Sequence, residues 1–464
     1  MRRKAGMVLG ACAALVLVGT AGTTAWSYAG DEGGPVGTWH EAPDRTRTPV
    51  AAEQARPASS SAPQAAAPEK EGAAKTATTA TAPAAAATTE SRHGAPESAT
   101  SADGRQRVGE LLRVDRLLGY LGKGPRKETF RYPGASYVKL HFDRMAMLPG
   151  DYLTVSNADG TESYRYDAPK PLAAAADRWA MSVTGDTAVL EMHRVANPLG
   201  VGDLLGTLGV DVDRVARGFS RTEQARQPDG QLLAPGRTGR EETVCGNDTS
   251  ADAVCYRSAD PVAYTKSKAI ARLLINGTEL CTAWRVGPNN RMLTNNHCFT
   301  TSNEAYDTEV WFNYQCATCG GYDVFQPTKV WGDKVLSTDH VYDYTLFSVS
   351  NFDAVKKFGY LLLDTARPAR GQELYVPQHP AGEPTRIAGS LGEKAGNCSV
   401  ADPNYTGYAA GSDVSYYCDT EGGSSGSPVL SRATNKVVAL HHFGGCPNSG
   451  VRADLLAAKL RQYL

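Results

Sequence analysis

The sequence has no excess of charge of either sign, and this bears on which classes of function are open to it. Over 464 residues, 48 Lys and Arg are balanced by 49 Asp and Glu, for a formal net charge of −1. This balance gives no indication of the clustered cationic face that nucleic-acid binding requires. The chain also lacks a Gly-X-Y repeat and a sustained heptad pattern, which excludes collagen-like and coiled-coil proteins. Its length predicts two or three domains.

Large apolar residues are absent from a long stretch in the N-terminal part. Between Val50 and Val108 there is no Val, Leu, Ile, Met, Phe, Tyr or Trp, and Ala, Pro, Thr and Ser dominate. Without apolar side chains to bury, nothing offsets a backbone ordering entropy of roughly 1–2 kcal/mol per residue. We therefore predict that residues 30–105 form a disordered linker or part of a discarded pro-region.

The first residues have the pattern of an export signal. Basic residues at Arg2–Lys4 precede an apolar run over Ala5–Val18, and Ser27–Ala29 fits a small-x-small cleavage site. We predict a cleaved signal peptide over residues 1–29 and a secreted protein with no membrane attachment after cleavage. The alternative is an uncleaved anchor helix, which would hold the protein at the cell surface.

Cysteine is almost missing from the first half of the chain. The first 244 residues contain only Cys12, and the other nine cysteines stand at positions 245, 255, 281, 298, 316, 319, 398, 418 and 446. An exported protein folds in an oxidising compartment, so these cysteines indicate disulfides in the C-terminal domain, with one thiol left over. Cys316 and Cys319 have half of a zinc-ligand spacing, but no second pair completes it. We expect no metal and no cofactor.

Residues 106–212 are predicted to form a separate β-rich domain, either an accessory domain or a pro-domain, followed by a polar linker over residues 213–241. Short alternating segments are separated by turn residues, as in an antiparallel β-sandwich. The predicted strands are residues 136–142, 151–157, 163–166, 179–183 and 187–193. One segment differs, because the apolar residues of 108–121 have helical spacing and predict a helix.

Three short motifs follow in the C-terminal domain, residues 242–464. They are Leu293-Thr-Asn-Asn-His297-Cys298, Tyr342-Asp343-Tyr-Thr-Leu346 and Gly422-Gly-Ser-Ser425-Gly-Ser-Pro428. Their central residues are His297, Asp343 and Ser425, separated by 46 and 82 positions. Each motif alone has an ordinary structural explanation: a structural histidine, a turn aspartate, a flexible loop. The order, the spacing, the cysteine beside the histidine and the export signal together favour catalysis.

The three residue types are those that nucleophilic catalysis needs. A serine hydroxyl is a poor nucleophile until a base takes its proton, and a histidine near neutral pKa can take it and return it to a leaving amine. A buried carboxylate fixes the histidine tautomer and stabilises the imidazolium. The flanking glycines allow a sharp turn, so that the N–H groups of Gly423 and Ser425 can face one oxyanion.

With these motifs the domain resembles the chymotrypsin-fold serine endopeptidases, and in pattern the bacterial lysyl and glutamyl endopeptidases. The resemblance covers roughly 220 residues and extends to Trp311-Phe-Asn-Tyr-Gln315 and Gly444-Gly-Cys446. It implies two antiparallel β-barrels with the site between them, an all-β protein and a monomer that acts on proteins or peptides. The residues implied for the site are His297, Asp343 and Ser425 as the triad.

The same resemblance implies P1-pocket residues and disulfides. Asp419 falls where trypsins hold the aspartate that binds a basic P1 residue, whereas Thr420 and His441 fall where glutamyl endopeptidases bind an acidic one. We expect a basic P1 preference, with an acidic one as the alternative; Asp419 and His441 could also simply pair with each other or with backbone. We expect Cys281–Cys298 to bridge the strand before His297 to the loop of His297. The resemblance implies Cys245–Cys446 and a bond from Cys255 to Cys316 or Cys319, which leaves Cys398 and Cys418 as partners. A Cys316–Cys319 bond is the alternative and would leave Cys255 unpaired.

Sequence analysis thus predicts a secreted serine endopeptidase made as a zymogen. The alternative from another class is an extracellular binding protein, in which the peptidase fold is only a scaffold. An intact set of His297, Asp343 and Ser425 favours the enzyme.

Overall fold

The computed structural model describes residues 39–40, 104–119, 126–168, 175–194, 208–228, 230, 232–233, 244–245, 248–321, 323–389 and 398–464. The predicted signal peptide and most of the predicted linker lie outside these ranges. The described residues are mostly β-strand, which confirms the all-β fold class. Within them, no helix is both long and apolar enough to cross a membrane.

The N-terminal domain is a β-sandwich of two sheets. Its strands are β1 (Trp39–His40), β3 (Gly109–Gly119), β4 (Lys127–Arg131), β5 (Tyr137–Ala146), β6 (Tyr152–Asn157), β7 (Ser163–Asp167), β8 (Ala175–Trp179), β9 (Val183–Thr184), β10 (Thr187–His193) and β11 (Gly209–Gly218). One sheet has the order β1-β7-β6-β10-β4 and the other β3-β11-β5-β8, with β9 paired to β5. Leu140, Phe142, Leu153 and Leu190 are fully buried in its core.

The helix predicted over residues 108–121 is wrong. The structure has the strand Gly109–Gly119 there, paired antiparallel with β11 along most of its length. Its apolar residues do not form a buried helical face, because Leu117 is 53% exposed at the sheet edge. Pairing with a neighbouring strand that is distant in sequence overrides the local periodicity.

Parts of both predicted linkers are folded in the described ranges. Strand β11 continues to Gly218, and α1 (Arg221–Gln224) follows it with Ser220 as a capping-box N-cap, so part of the predicted 213–241 linker is folded. Within the predicted 30–105 linker, Trp39–His40 pairs with β7. The predicted strand over 179–183 is instead divided between the end of β8 and the start of β9.

The first C-terminal barrel is closed by six antiparallel strands. Ahead of it lie β2 (Gln106–Arg107), β12 (Leu232–Leu233), β13 (Ala251–Asp252), α2 (Tyr256–Ala259) and α3 (Pro261–Ser267). The barrel consists of β14 (Ile270–Ile275), β15 (Glu279–Arg285), β16 (Met292–Thr294), β17 (Glu309–Phe312), β18 (Thr328–Asp339) and β19 (Tyr344–Val349), with α4 (Ser302–Tyr306) after β16. The strand order is β14-β17-β18-β19-β16-β15, and β14 pairs with β15 to close the barrel.

The second barrel follows α5 (Phe352–Val355). Its strands are β20 (Leu374–Gln378), β21 (Arg386–Ala388), β22 (Val400–Tyr405), β23 (Asp413–Tyr416), β24 (Pro428–Ser431), β25 (Val437–Gly444) and β26 (Asn448–Arg452), and α6 (Ala453–Leu460) ends the chain. They lie in the order β21-β20-β24-β25-β26-β23-β22. The double β-barrel expected from the sequence is therefore confirmed.

The sandwich and the first barrel share one apolar core. Buried residues of both, among them Leu140, Val215, Leu273 and Phe312, belong to a single contiguous cluster. In addition, β2 pairs antiparallel with β15 and so extends the barrel sheet by one strand from the N-terminal part of the chain. The N-terminal domain thus packs tightly against the peptidase domain.

A buried ionic network lies within this interface. Lys139 Nζ of the sandwich lies 2.7 Å from Glu309 Oε1 of β17, and Lys329 Nζ of β18 lies 2.7 Å from Glu162 Oε1; all four side chains are 0% exposed. Ser182 donates to Glu309 from its N–H and from its hydroxyl. Burial would raise the pKa of Glu309, but the charges of Lys139 and Lys329 hold it below its ordinary value.

Four disulfides join the cysteines of the C-terminal domain. They are Cys245–Cys446, Cys255–Cys319, Cys281–Cys298 and Cys398–Cys418. Cys316 was one of two expected partners of Cys255 and is not bonded. It is buried in a bridge with Val324, whereas Cys319 lies with its Cα 4.9 Å from that of Cys255.

The ionic network leads to a stability prediction. Lys139→Met should lower the free energy of unfolding by about 3–5 kcal/mol, because it leaves the carboxylate of Glu309 buried with one cation fewer. The measurement is urea unfolding followed by tryptophan fluorescence. As a matched control, Lys127→Met removes an exposed pair with Glu191 and should change stability by less than about 1 kcal/mol. Equal changes in the free energy of unfolding for the two substitutions would contradict the claim that the buried network stabilises the fold.

Candidate active site

The three motif residues lie on turns at the ends of barrel strands. His297 follows β16, Asp343 lies in the turn between β18 and β19, and Ser425 lies between β23 and β24. The first two belong to the first barrel and the third to the second barrel. The motifs are far apart in sequence and lie on turns of both barrels.

Asp343 and His297 are held together by two hydrogen bonds. The carboxylate accepts from the backbone N–H of His297 at 3.0 Å, and its Oδ2 lies 2.8 Å from Nδ1 of the ring. Because an ionised carboxylate only accepts, the proton is on Nδ1, which leaves Nε2 of His297 as an acceptor. Nε2 is buried and has no hydrogen-bond partner in the described part of the chain. This is the state that a general base requires.

Asp343 is itself buried, with 1% exposure. Burial would raise its pKa, but the imidazoles of His297 and His442 hold the pKa of this carboxyl well below its usual range. The turn is also fixed from the other side, because Asn295 Nδ2 donates to the Asp343 carbonyl at 2.8 Å. The carboxylate therefore stays ionised and oriented toward His297.

His442 is a site residue that the sequence analysis missed. Its Nδ1 lies 3.1 Å from Asp343 Oδ2, and its Nε2 lies 2.6 Å from Asp413 Oδ2. Burial would lower the pKa of His442, but the two carboxylates raise it to about 9. No sequence motif singled out His442, because its partners Asp343 and Asp413 lie 99 and 29 positions away. A charged imidazole thus lies behind Asp343.

The Ser425 turn is fixed by backbone contacts with both barrels. Thr282 N donates to the Ser425 carbonyl at 2.8 Å, and Gly426 N donates to His441 O at 3.0 Å. Gly426 has φ +89°, and a Cβ there would lie 2.0 Å from the carbonyl oxygen of Thr282. Only glycine fits this position, which explains the Ser-Gly-Ser sequence.

The expected oxyanion donors, the N–H groups of Gly423 and Ser425, do not donate to backbone carbonyls in the described ranges. Gly423 has φ +94°, and its carbonyl accepts from Thr282 Oγ1 at 2.9 Å. The absence of a backbone acceptor for these two N–H groups is compatible with the oxyanion role expected for them.

Ser425 Oγ does not bond to His297 among the residues described. It lies 3.5 Å from the carbonyl oxygen of Gly104, to which it donates. The next residue, Arg105, lies beside His297, and its Nε donates to the His297 carbonyl oxygen at 3.1 Å. A segment of the N-terminal part of the chain thus occupies the cleft next to Ser425, and nothing in the sequence patterns indicated it.

The residues expected for the P1 pocket, Asp419, Thr420 and His441, are all buried. Asp419 accepts from Cys245 N at 3.1 Å and from Thr249 N and Oγ1 at 2.9 and 2.6 Å. His441 Nδ1 lies 2.7 Å from the hydroxyl of Tyr416, and burial lowers its pKa to about 3, so that it is neutral. Thr420 is 1% exposed.

One group of side chains has the spacing of a metal site. The ligand atoms of Cys281, His297 and Cys298 lie within 4.8 Å of one another. The two sulfurs form a disulfide, so they supply no thiolate for a metal ion.

Comparisons with known proteins place this geometry in a family. Residues 281–440 match the model of the trypsin-like peptidase domain. The "Secreted RxLR effector protein 73" of Plasmopara viticola is 32% identical over 345 residues, which cover 70% of this chain and 79% of that protein.

Solved structures of peptidases were also found at low similarity. A Glu endopeptidase is 20% identical, with a TM-score of 0.35 over 47% of this chain and 98% of its own. The Rv3671c protease of M. tuberculosis H37Rv in an inactive form is 16% identical, with a TM-score of 0.32 over 45% of this chain and 93% of its own. The family assignment rests on the match of residues 281–440 to the trypsin-like peptidase domain. On that basis the chain belongs to the trypsin-like peptidase family and is a serine endopeptidase that acts on proteins or peptides.

Proposed function

We propose that this protein is a secreted serine endopeptidase that cleaves peptide bonds through an acyl-enzyme on Ser425, with His297 and Asp343 completing the triad. The observation that carries the proposal is the pair of hydrogen bonds from His297 to Asp343, which leaves Nε2 of His297 as a buried acceptor. A base in this state is what a serine hydroxyl needs to become a nucleophile.

The proposed reaction uses these groups in the roles that general-base catalysis assigns to them. His297 Nε2 takes the proton of Ser425 as Oγ bonds to the substrate carbonyl carbon, and Asp343 stabilises the imidazolium that forms. The N–H groups of Gly423 and Ser425 stabilise the oxyanion. His297 then gives its proton to the leaving nitrogen, and water hydrolyses the ester by the same steps in reverse.

For the P1 pocket we propose a preference for basic residues through Asp419. This carboxylate is 4% exposed, and its hydrogen bonds come from neutral donors of Cys245 and Thr249. Within the described part of the chain it forms no ion pair, so its charge is available to attract a cation. His441 is neutral and bonded to Tyr416, which makes it a weaker attractant for an acidic side chain.

Export and processing belong to the same proposal. Four disulfides need an oxidising compartment, and the matched Plasmopara protein is named as secreted. The presence of Gly104 beside Ser425 supports a zymogen in which the N-terminal part covers the cleft. We propose that the mature form is a monomer released after removal of a signal peptide.

Replacing the nucleophile gives the main catalytic prediction. Ser425→Ala should lower turnover of a peptide substrate by several orders of magnitude, on the order of 10⁶ by comparison with other triads. The measurement is the hydrolysis rate of casein peptides by purified protein. Ser350→Ala removes a serine that bonds to Trp331 and should leave the rate unchanged. Unchanged turnover in Ser425→Ala would refute the assignment.

The P1 pocket can be tested with anilide substrates that differ in one residue. We expect Lys and Arg anilides to have the highest kcat/KM, and Glu and Phe anilides the lowest. Asp419→Asn should lower kcat/KM for basic anilides by roughly 30-fold or more, because a lost buried charge partner costs about 2–5 kcal/mol. Asp353→Asn, at an exposed surface pair with Lys356, is the control. A Glu preference would favour the acidic alternative.

His442 gives a pH-dependent prediction. Its pKa is about 9 in the folded protein against an ordinary value of 6.5, so its charge stabilises the fold fully below about pH 6.5. This contribution, on the order of 3 kcal/mol, is lost as pH rises through 9. Thermal unfolding should therefore show His442→Gln less stable than wild type at pH 6, with a gap that shrinks by pH 10. A gap independent of pH, or the same pattern in His193→Gln, would count against a charged His442.

A further inference from the structure

Residues 104–107 bind along the edge of the first barrel as an added strand. Gln106 and Arg107 pair antiparallel with Leu280 and Glu279 of β15, and Val108 N donates to Thr278 O at 2.8 Å. Continuing this register by one residue places Arg105 opposite Cys281. Strand addition is a common way for proteins to bind extended peptides, because the main chain supplies affinity and the side chains supply specificity.

The contact with Ser425 shows which residues of this segment would lie on the acyl side of a cleaved bond and which on the leaving-group side. Ser425 Oγ donates to the Gly104 carbonyl oxygen at 3.5 Å, so the peptide bond that lies beside the proposed nucleophile joins Gly104 and Arg105. If this bond were cleaved, Gly104 would carry the acyl group and Arg105 the leaving amine. Arg105 therefore occupies the first position on the leaving-group side, P1′, and Gln106 the next.

The side chain of Arg105 lies in a small acidic pocket. Its Nη1 lies 2.7 Å from Glu279 Oε2, and its Nη2 lies 3.4 Å from Glu304 Oε1. Its Nε donates to the backbone carbonyl of His297 at 3.1 Å. The side chains of Arg105 and Glu279 are 10% and 8% exposed, so the contact is nearly closed to water.

Glu279 and Glu304 contribute differently. Glu304 also caps α4 through Thr300 and Thr301, and these bonds satisfy its other oxygen without any cation. Glu279 is bonded through its side chain to Arg105 alone among the described residues. Whenever residues 104–107 leave the cleft, the carboxylate of Glu279 loses this cation and becomes able to accept another one.

We propose that Glu279, with Glu304, forms an S1′ subsite, which binds the arginine side chain of a peptide substrate at P1′. In the full chain Arg105 occupies this subsite, so that residues 104–107 compete with substrate from within the same molecule. The inference rests on the proposed catalytic function and extends it to the leaving-group side. It does not depend on the P1 preference, since Gly104 has no side chain to place in the P1 pocket.

The same glycine explains how the segment persists in the cleft. A P1 glycine gains no side-chain binding energy on the acyl side, so cleavage of its bond is poorly supported. The segment instead binds mainly on the leaving-group side of the Gly104–Arg105 bond, through the side chains of Arg105 and Gln106 and through the strand pairing. The Gln106 amide donates to Pro228 O at 3.1 Å and accepts from Gly230 N at 2.8 Å. The segment therefore competes with substrate rather than serving as a good one.

The first test measures access to Ser425 in the full chain with a fluorophosphonate probe. Arg105→Ala and Glu279→Gln should each raise the labelling rate about tenfold or more, because each removes half of the buried charge pair that holds the segment. Arg105→Lys keeps the charge and should lie between them and wild type. Arg131→Ala, an exposed arginine of the sandwich, is the control and should label at the wild-type rate.

The second test uses the full-length Arg105→Ala protein and peptides with the best P1 residue from the anilide series. The peptides differ only in P1′, which is Arg, Ala or Glu. We expect kcat/KM to be about tenfold higher for Arg than for Ala, and lowest for Glu. Adding Glu279→Gln should remove the Arg preference, so that the Arg and Ala peptides have the same kcat/KM.

The outcomes separate this inference from the function on which it rests. Cleavage of all three peptides with equal kcat/KM would overturn the S1′ subsite and leave the peptidase assignment intact. A folded protein with its four disulfides that labels in none of the variants would overturn the proposed catalytic function, and the subsite with it. Restoration of slow labelling by Arg105→Glu combined with Glu279→Arg would support the pair directly.

Discussion

The buried carboxylate of Asp343 is the charge around which the cleft is organised. It accepts hydrogen bonds from the backbone and ring of His297, and its Oδ2 also contacts Nδ1 of His442. An ionised group that is 1% exposed needs partners on every side, so the turn after β16, the turn before β19 and strand β25 must meet at one point. The packing of the two barrels and the chemistry of His297 therefore depend on the same contacts.

A second set of buried charges joins the N-terminal sandwich to the first barrel. Lys139 with Glu309 and Lys329 with Glu162 cross this interface, and apolar residues of both domains share one core. Strand β2, which leads directly into the sandwich strand β3, is thereby held against β15 at the edge of the cleft. The interface that stabilises the protein thus also positions the segment that reaches Ser425.

The sequence indicated the residues whose chemistry is visible in their type and order. His297, Asp343 and Ser425 could be selected because nucleophilic catalysis needs those side chains, and three of the disulfides were predicted. His442, Asp413 and Arg105 were missed because their importance arises only where strands from distant parts of the chain meet. The strand Gly109–Gly119 was predicted as a helix for a similar reason, since its pairing with β11 is not visible in its own periodicity.

The most direct test of this account is to find which residue of the full chain reacts with a fluorophosphonate probe. Peptide mapping by mass spectrometry of the labelled protein identifies that residue without any substitution. The account predicts a single adduct on the peptide that contains Ser425. The adduct should form faster in Arg105→Ala, in which residues 104–107 bind the cleft less tightly. An adduct on any other serine, with Ser425 unmodified, would contradict it.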